Sequence, residues 1–146
     1  MLDESFSKVY TKFKLHFYRK VFQRFQGRDA SLTTVETFCL EIIHGLKKPT
    51  INEFASFAQI SPQNATYKVN NLIQKGYLRK IQSPEDKREY HLQVTEKYFE
   101  YYNISYSYLS TVMDRIKQRF SEAEVEELEK ILNIVSDELM NEVPID

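Results

Sequence analysis

A mostly helical chain with one small β-hairpin is the fold class this sequence predicts, and three observations carry the prediction. Apolar residues recur three or four apart along most of the 146 residues, the spacing of helices that bury one face. Only three glycines and four prolines punctuate the chain, so long elements with few turns are expected. Just after Gly76 the period changes from about 3.6 to 2, which fits two short strands.

Leu2, Phe6, Val9, Phe13, Phe17, Val21 and Phe25 form the first stripe, and Gly27 ends it. A helix this rich in phenylalanine has to pack on other helices, of its own chain or of a partner. Thr33 and Glu36 form a capping box for the second helix, whose expected buried face is Val35, Phe38, Cys39, Ile42, Ile43 and Leu46. Lys47, Lys48 and Pro49 stop it. Thr50 with Glu53 opens a short third helix, with Ile51, Phe54, Ala55 and Ala58 inward and an end near Gln59. Ser61-Pro62 then starts a fourth: serine is a favoured cap, and proline loses nothing at the first helical position. Ala65, Val69, Leu72 and Ile73 are its inner stripe and Gly76 its C-terminal cap. Two well-capped helices joined by a short turn make a helix-turn-helix.

Residues 77–82 and 90–94 alternate as strands, joined by a polar segment over 83–89. Thr95 caps a long helix running to about Arg119, and Ser121 with Glu124 caps the last one. There Val125, Leu128, Leu132, Val135 and Leu139 step by three and four, a seam that serves packing within one chain or pairing between two.

Composition narrows the function. With 42% apolar and 28% charged residues the chain is globular, one domain over 1–146. Asp3, Glu4 and Lys8 stand where a signal peptide needs an apolar stretch, and no apolar run is long enough to cross a membrane. A cytoplasmic protein is expected. A single cysteine, Cys39, on the apolar stripe of its helix is expected to be a structural hydrophobe rather than a redox thiol. His16, His44 and His91 are isolated, so no metal site is expected. No nucleophile triad, paired-carboxylate motif, phosphate loop or cofactor fingerprint stands out, so neither an enzyme nor a cofactor is expected.

The net charge of −1 hides an uneven distribution. Residues 1–30 carry seven Lys/Arg against three Asp/Glu and residues 61–94 six against three, whereas 95–146 carry five against twelve. A protein that meets phosphates needs local positive charge rather than a basic total.

Helix-turn-helix, basic hairpin, long helix is the order of a winged helix, and the residues resemble the MarR family of bacterial regulators. The resemblance runs nearly end to end. It is carried by Leu32-Thr33, by Ser61-Pro62 with Thr66, Leu72 and Lys75-Gly76-Tyr77-Leu78, and by Asp86-Lys87-Arg88 followed by Leu92 and Val94-Thr95. It implies a homodimer whose terminal helices, 1–30 and 98–146, interlock around a winged helix-turn-helix over 31–97. It also implies a repressor on a pseudo-palindromic operator in double-stranded DNA, with release by a small aromatic effector as a further expectation.

Under this resemblance the fourth helix enters the major groove, and Ser61, Gln63, Asn64, Thr66, Tyr67 and Lys68 are the expected contacts. Gln63 and Asn64 suit adenine, Thr66 a phosphate or a thymine methyl, and Lys68 a phosphate. In the hairpin, Asp86, Lys87 and Arg88 complete the set, with Arg88 directed into a narrow minor groove and Asp86 orienting it. The family often has arginine where this chain has Tyr67. That departure leaves open a second reading, a winged-helix protein-interaction module. Phe13, Phe17, Tyr98, Tyr102 and Tyr106, with Tyr101 and Tyr108 nearby, are candidates to line an effector pocket, against the plainer reading that they are core.

Overall fold

A computed structural model describes residues 1–25 and 32–145, apart from the side chains at positions 24, 25 and 101–105. The described elements, in chain order, are α1 (Leu2–Phe25), α2 (Thr34–Gly45), α3 (Ile51–Ala58), α4 (Pro62–Gln74), β1 (Leu78–Gln82), β2 (Tyr90–Val94), α5 (Glu96–Arg119) and α6 (Glu122–Glu138). The expected stop of the first helix at Gly27 lies outside the described residues. The chain divides into two compact units, residues 22–102 and residues 1–21 with 103–146. No helix among the described residues is long and apolar enough to cross a membrane.

Local chemistry sets the helix ends of the first unit. Thr33 Oγ1 accepts the Glu36 N–H at 3.1 Å while Glu36 Oε1 accepts the Thr33 N–H at 2.9 Å, the reciprocal box that starts α2. The same pair of bonds joins Thr50 and Glu53 at the start of α3. Ser61 Oγ accepts the Asn64 N–H at 3.1 Å and Pro62 occupies the first position of α4. Gly76, at φ +87°, turns the chain out of α4 toward β1. Gln59 makes the corresponding left-handed turn after α3 at φ +56°, where glycine would be unstrained.

β1 and β2 pair antiparallel from Leu78 opposite Val94 to Gln82 opposite Tyr90. The segment between α2 and α3 joins this sheet: Thr50 bridges to His91, and the Leu92 N–H donates to the Pro49 carbonyl at 2.7 Å. Lys47 and Lys48, just before it, are both left-handed, at φ +55° and +58°. Each costs about 1–2 kcal/mol in a residue with a side chain.

The core of this unit gathers Leu40 and Ile43 from α2, Phe54 from α3, Val69 and Leu72 from α4, Leu92 from β2 and Tyr98 from α5, all essentially inaccessible. Each such side chain contributes about 1.5–3 kcal/mol. The inner face of α2 differs from the one its apolar spacing predicts. Val35 and Phe38 are half exposed, and Glu36, Thr37 and Leu40 are buried instead. The reason is polar. Thr37 Oγ1 donates to the Thr33 carbonyl at 3.0 Å, and Lys75 Nζ at the end of α4 donates to both Glu36 carboxylate oxygens, at 2.8 and 2.9 Å. Facing Glu36 toward Lys75 turns Val35 and Phe38 outward.

In the other unit, the Phe13 ring of α1 meets Tyr108 of α5 edge-on at 5.7 Å, and the His16 imidazole lies flat on Tyr108 at 3.8 Å. Much of the apolar surface there is open. Leu2, Phe6 and Val9 of α1 are exposed, α6 buries no residue at all, and Leu128 and Leu132 of its seam are exposed with Val125 and Val135 half-buried.

Two outcomes follow for stability. Gln59→Gly relieves a left-handed side chain at the end of α3 and is expected to raise unfolding free energy by about 0.5–1 kcal/mol in urea titrations; a fall would contradict the strain assigned there. Glu36 is pushed up by burial, but its bonds to Lys75 and Thr33 outweigh this and hold its pKa below the ordinary carboxylate value. Its contribution is therefore present above the ordinary range and lost as pH falls through the depressed value. Glu36→Gln is expected to cost about 1–3 kcal/mol at neutral pH, with the difference from the parent protein narrowing in acid. A difference that stays constant with pH would contradict this.

Candidate nucleic-acid interface

The cap that starts α4 also determines what the helix presents. Burial of Ala65, Val69 and Leu72 turns Gln63, Asn64 and Tyr67 to solvent, with Tyr67 67% exposed, and leaves Thr66 and Lys68 partly so. Gln63 and Asn64 are thus available to base edges at the end of the helix that reaches a groove first. Ser61 and Thr66 are more restricted. The Ser61 hydroxyl oxygen is occupied by the cap, and Thr66 Oγ1 donates its one proton to the Pro62 carbonyl at 2.8 Å. Thr66 has no second proton for a phosphate, so in this rotamer its methyl and its acceptor lone pairs are what it offers.

The hairpin tip has a fixed backbone. The Ser83 N–H donates to the Glu89 carbonyl at 2.8 Å, and Gln82 Nε2 donates to the Lys87 carbonyl at 2.8 Å. Asp86 Oδ1 accepts the Arg88 backbone N–H at 2.9 Å and meets Arg88 Nε at 3.4 Å. Asp86 therefore holds the Arg88 main chain firmly and the guanidinium loosely. The Arg88 side chain is 92% exposed and Lys87 is exposed beside it.

Between α4 and this wing lies an open groove of about 640 Å³. Thr66, Asp86 and Arg88 line it, as the sequence places them in one contact set. Thr50, Asn52, Lys80 and Tyr90 line it too, and sequence reasoning missed them. The capping box at Thr50 marks the N-terminal end of α3, where backbone N–H groups and the helix dipole favour anions, and that signal was available. Lys80 was harder to find. It pairs across the hairpin with buried Leu92, yet its own side chain is exposed. The groove thus brings two cations, Lys80 and Arg88, and two carboxylates, Asp86 and Glu89, beside hydrogen-bonding groups from α3 and α4, so it is the outward-extending cations rather than the groove's total charge that could meet a phosphate backbone.

The other sequence-derived candidates take different places. Cys39 is buried. Burial raises its pKa, Lys68 lowers it and Glu36 raises it again, leaving the thiol protonated well above neutral pH. Among the described residues no three His, Cys, Asp or Glu side chains gather as a metal site. Of the aromatic set proposed for an effector, Tyr98 is wholly buried in the winged unit and donates its hydroxyl proton to Glu41 at 3.2 Å. Phe13 and Phe17 are half-buried in the other unit, Tyr106 is exposed there, and the Tyr102 side chain lies outside the described residues.

Comparison with known proteins agrees with this geometry. The MarR family pattern matches residues 32–90, the span from α2 to the start of β2. The HTH-type transcriptional regulator BilQ of Clostridioides difficile (strain CD3) is 32% identical over 106 residues, 73% of this chain and 72% of that protein. Among solved structures, the transcriptional regulator Tm0710 from Thermotoga maritima superposes with a TM-score of 0.63 at 18% identity, covering 92% of this chain and 91% of that one. Streptococcus pneumoniae FabT in complex with DNA gives a TM-score of 0.61 at 19% identity, covering 97% of this chain and 99% of that one. With the capped helix pair, the hairpin wing and the likeness to BilQ in agreement, the chain belongs to the MarR family of winged-helix transcription regulators.

Proposed function

We propose that the protein binds DNA sequence-specifically as a homodimer and acts as a repressor at its operator. The observation that carries this reading is the groove in which Thr66 of α4 meets Arg88 and Lys80 of the wing. FabT, which shares the fold, is a DNA complex. Gln63 and Asn64 read bases in the major groove, Lys68, Lys80 and Lys87 neutralise phosphates, and Arg88 reaches the minor groove beside them. Tyr67, exposed on the same helix face, supplies a stacking surface or a single hydroxyl where arginine would supply a charge. The exposed apolar residues of α1 and α6 support the second copy, since a seam such as Leu128, Ile131 and Leu132 is unfavourable in water. Release by a small aromatic ligand belongs to the same reading and rests on the family alone.

The two kinds of contact separate experimentally. Arg88→Ala is expected to weaken binding to most sequences alike and to lower the salt dependence of affinity by about one counterion. Asn64→Ala is expected to cost about 1–3 kcal/mol on the preferred operator and much less on mismatched DNA, so that discrimination falls. Mobility shifts on the DNA upstream of the protein's own gene, across salt concentrations, read both. If neither substitution changes affinity or salt slope, the protein-interaction reading of the fold is the better one.

For assembly, sedimentation of the full chain at micromolar concentration is expected to give twice the monomer mass. A folded monomer under those conditions would remove the two-copy scheme.

A further inference from the structure

The outward face of α4 carries neither an acidic nor a basic side chain. Gln63, Tyr67, Asn70 and Gln74 follow one another along it at helical spacing, with Asn64 beside them at the N-terminal end, and all five are exposed. The helix contains no Asp or Glu. Its lysine, Lys68, and its C-cap, Lys75, both stand toward α2. Lys75 is bound to Glu36, and Lys68 is half-buried, close enough to the Cys39 thiol for its charge to act there. We propose that, on the DNA-binding reading of this helix, the face recognises a half-site whose core is A·T pairs alone. Gln63, Asn64 and Asn70 bond adenine edges, and the Tyr67 ring lies against a thymine methyl.

Base chemistry makes the choice. In the major groove guanine shows two acceptors, N7 and O6, best met by arginine or lysine, and cytosine shows an N4 donor best met by a carboxylate. Neither partner stands on this face. Adenine shows the N7 acceptor beside the N6 donor, and one side-chain amide supplies the matching donor and acceptor. Thymine adds an apolar methyl, for which the exposed Tyr67 ring is the apolar surface at hand. An arginine at this position, frequent in the family, would supply the guanine partner that this chain lacks.

The helix is also built at a local cost that its own fold does not require. Asparagine is a poor helix former, yet α4 carries it at 64, 70 and 71, and neither cap uses these side chains. A local preference broken without structural gain marks a functional face. Among the described residues none of the side chains at 63, 64, 67 and 70 bonds to protein, so their polar groups are open to a ligand. From Gln63 to Asn70 the helix rises about 10 Å, the span of about three base pairs. Arg88 favours the same composition, because A-tracts narrow the minor groove that an arginine enters.

Selection of bound duplexes by the full chain, from a library with randomised half-sites, reads the preference directly. Each selected half-site is expected to hold at least about three adjacent A·T pairs. In the selected duplex, 7-deazaadenine at these pairs removes the N7 acceptor and is expected to weaken binding about tenfold, and uracil in place of thymine about threefold. Tyr67→Phe is expected to keep the uracil effect, Tyr67→Ala to lose it, and Tyr67→Arg to move one selected position to guanine. A required G·C pair within the core, with binding weakened by 7-deazaguanine there, overturns the inference and leaves sequence-specific binding intact. No selected sequence at all overturns both. A uracil effect that persists in Tyr67→Ala overturns the role given to Tyr67.

Discussion

One carboxylate ties the start of α2 to the end of α4. Glu36 closes the first turn of α2 by accepting the Thr33 N–H, and the same side chain accepts both bonds from Lys75 at the last turn of α4. A group in that position is costly unless fully paired, because burial disfavours its charge; here the capping bond and the lysine together supply partners for both oxygens. The direction of α4 depends on this tie. Lys75 pins its C-terminal end to α2, Ser61 shapes its N-terminal end, and the exposure of Gln63, Asn64 and Tyr67 follows from the rotation those two anchors impose.

The wing follows the same logic of backbone anchoring with free charge. Asp86 holds the Arg88 main chain while the guanidinium extends into solvent, and Gln82 ties back the tip at Lys87. Such a device fixes the Arg88 backbone and leaves its guanidinium, only loosely paired with Asp86, exposed. Charge is correspondingly local: the segment over 61–94 is basic within a chain whose net charge is −1, which is what phosphate binding requires.

What was legible in the sequence was whatever is decided within four residues. The boxes at Thr33, Thr50 and Ser121, the Ser61-Pro62 start and the Gly76 turn all depend on near neighbours, and each stands where the residue order places it. The inner face of α2 was not legible in this way. Its rotation comes from Glu36 meeting Lys75, 39 positions away, and that pairing overrides the apolar spacing of Val35 and Phe38. The candidate interface was half legible for a similar reason. Resemblance picked out Thr66, Asp86 and Arg88, but Asn52 reaches the groove only because the 49–50 segment pairs with β2 and brings the start of α3 against the wing strands that carry Lys80 and Tyr90. No local pattern announces such a junction.

The central claim is that two copies of this winged unit dock on successive turns of one DNA face. It is tested most directly by operator spacing. With half-sites about one helical turn apart, inserting half a turn between them places the second recognition helix on the opposite face of the duplex, and a full-turn insertion restores the face. The account predicts that the half-turn insertion reduces affinity to the non-specific level. Specific binding that survives it undiminished would contradict the account.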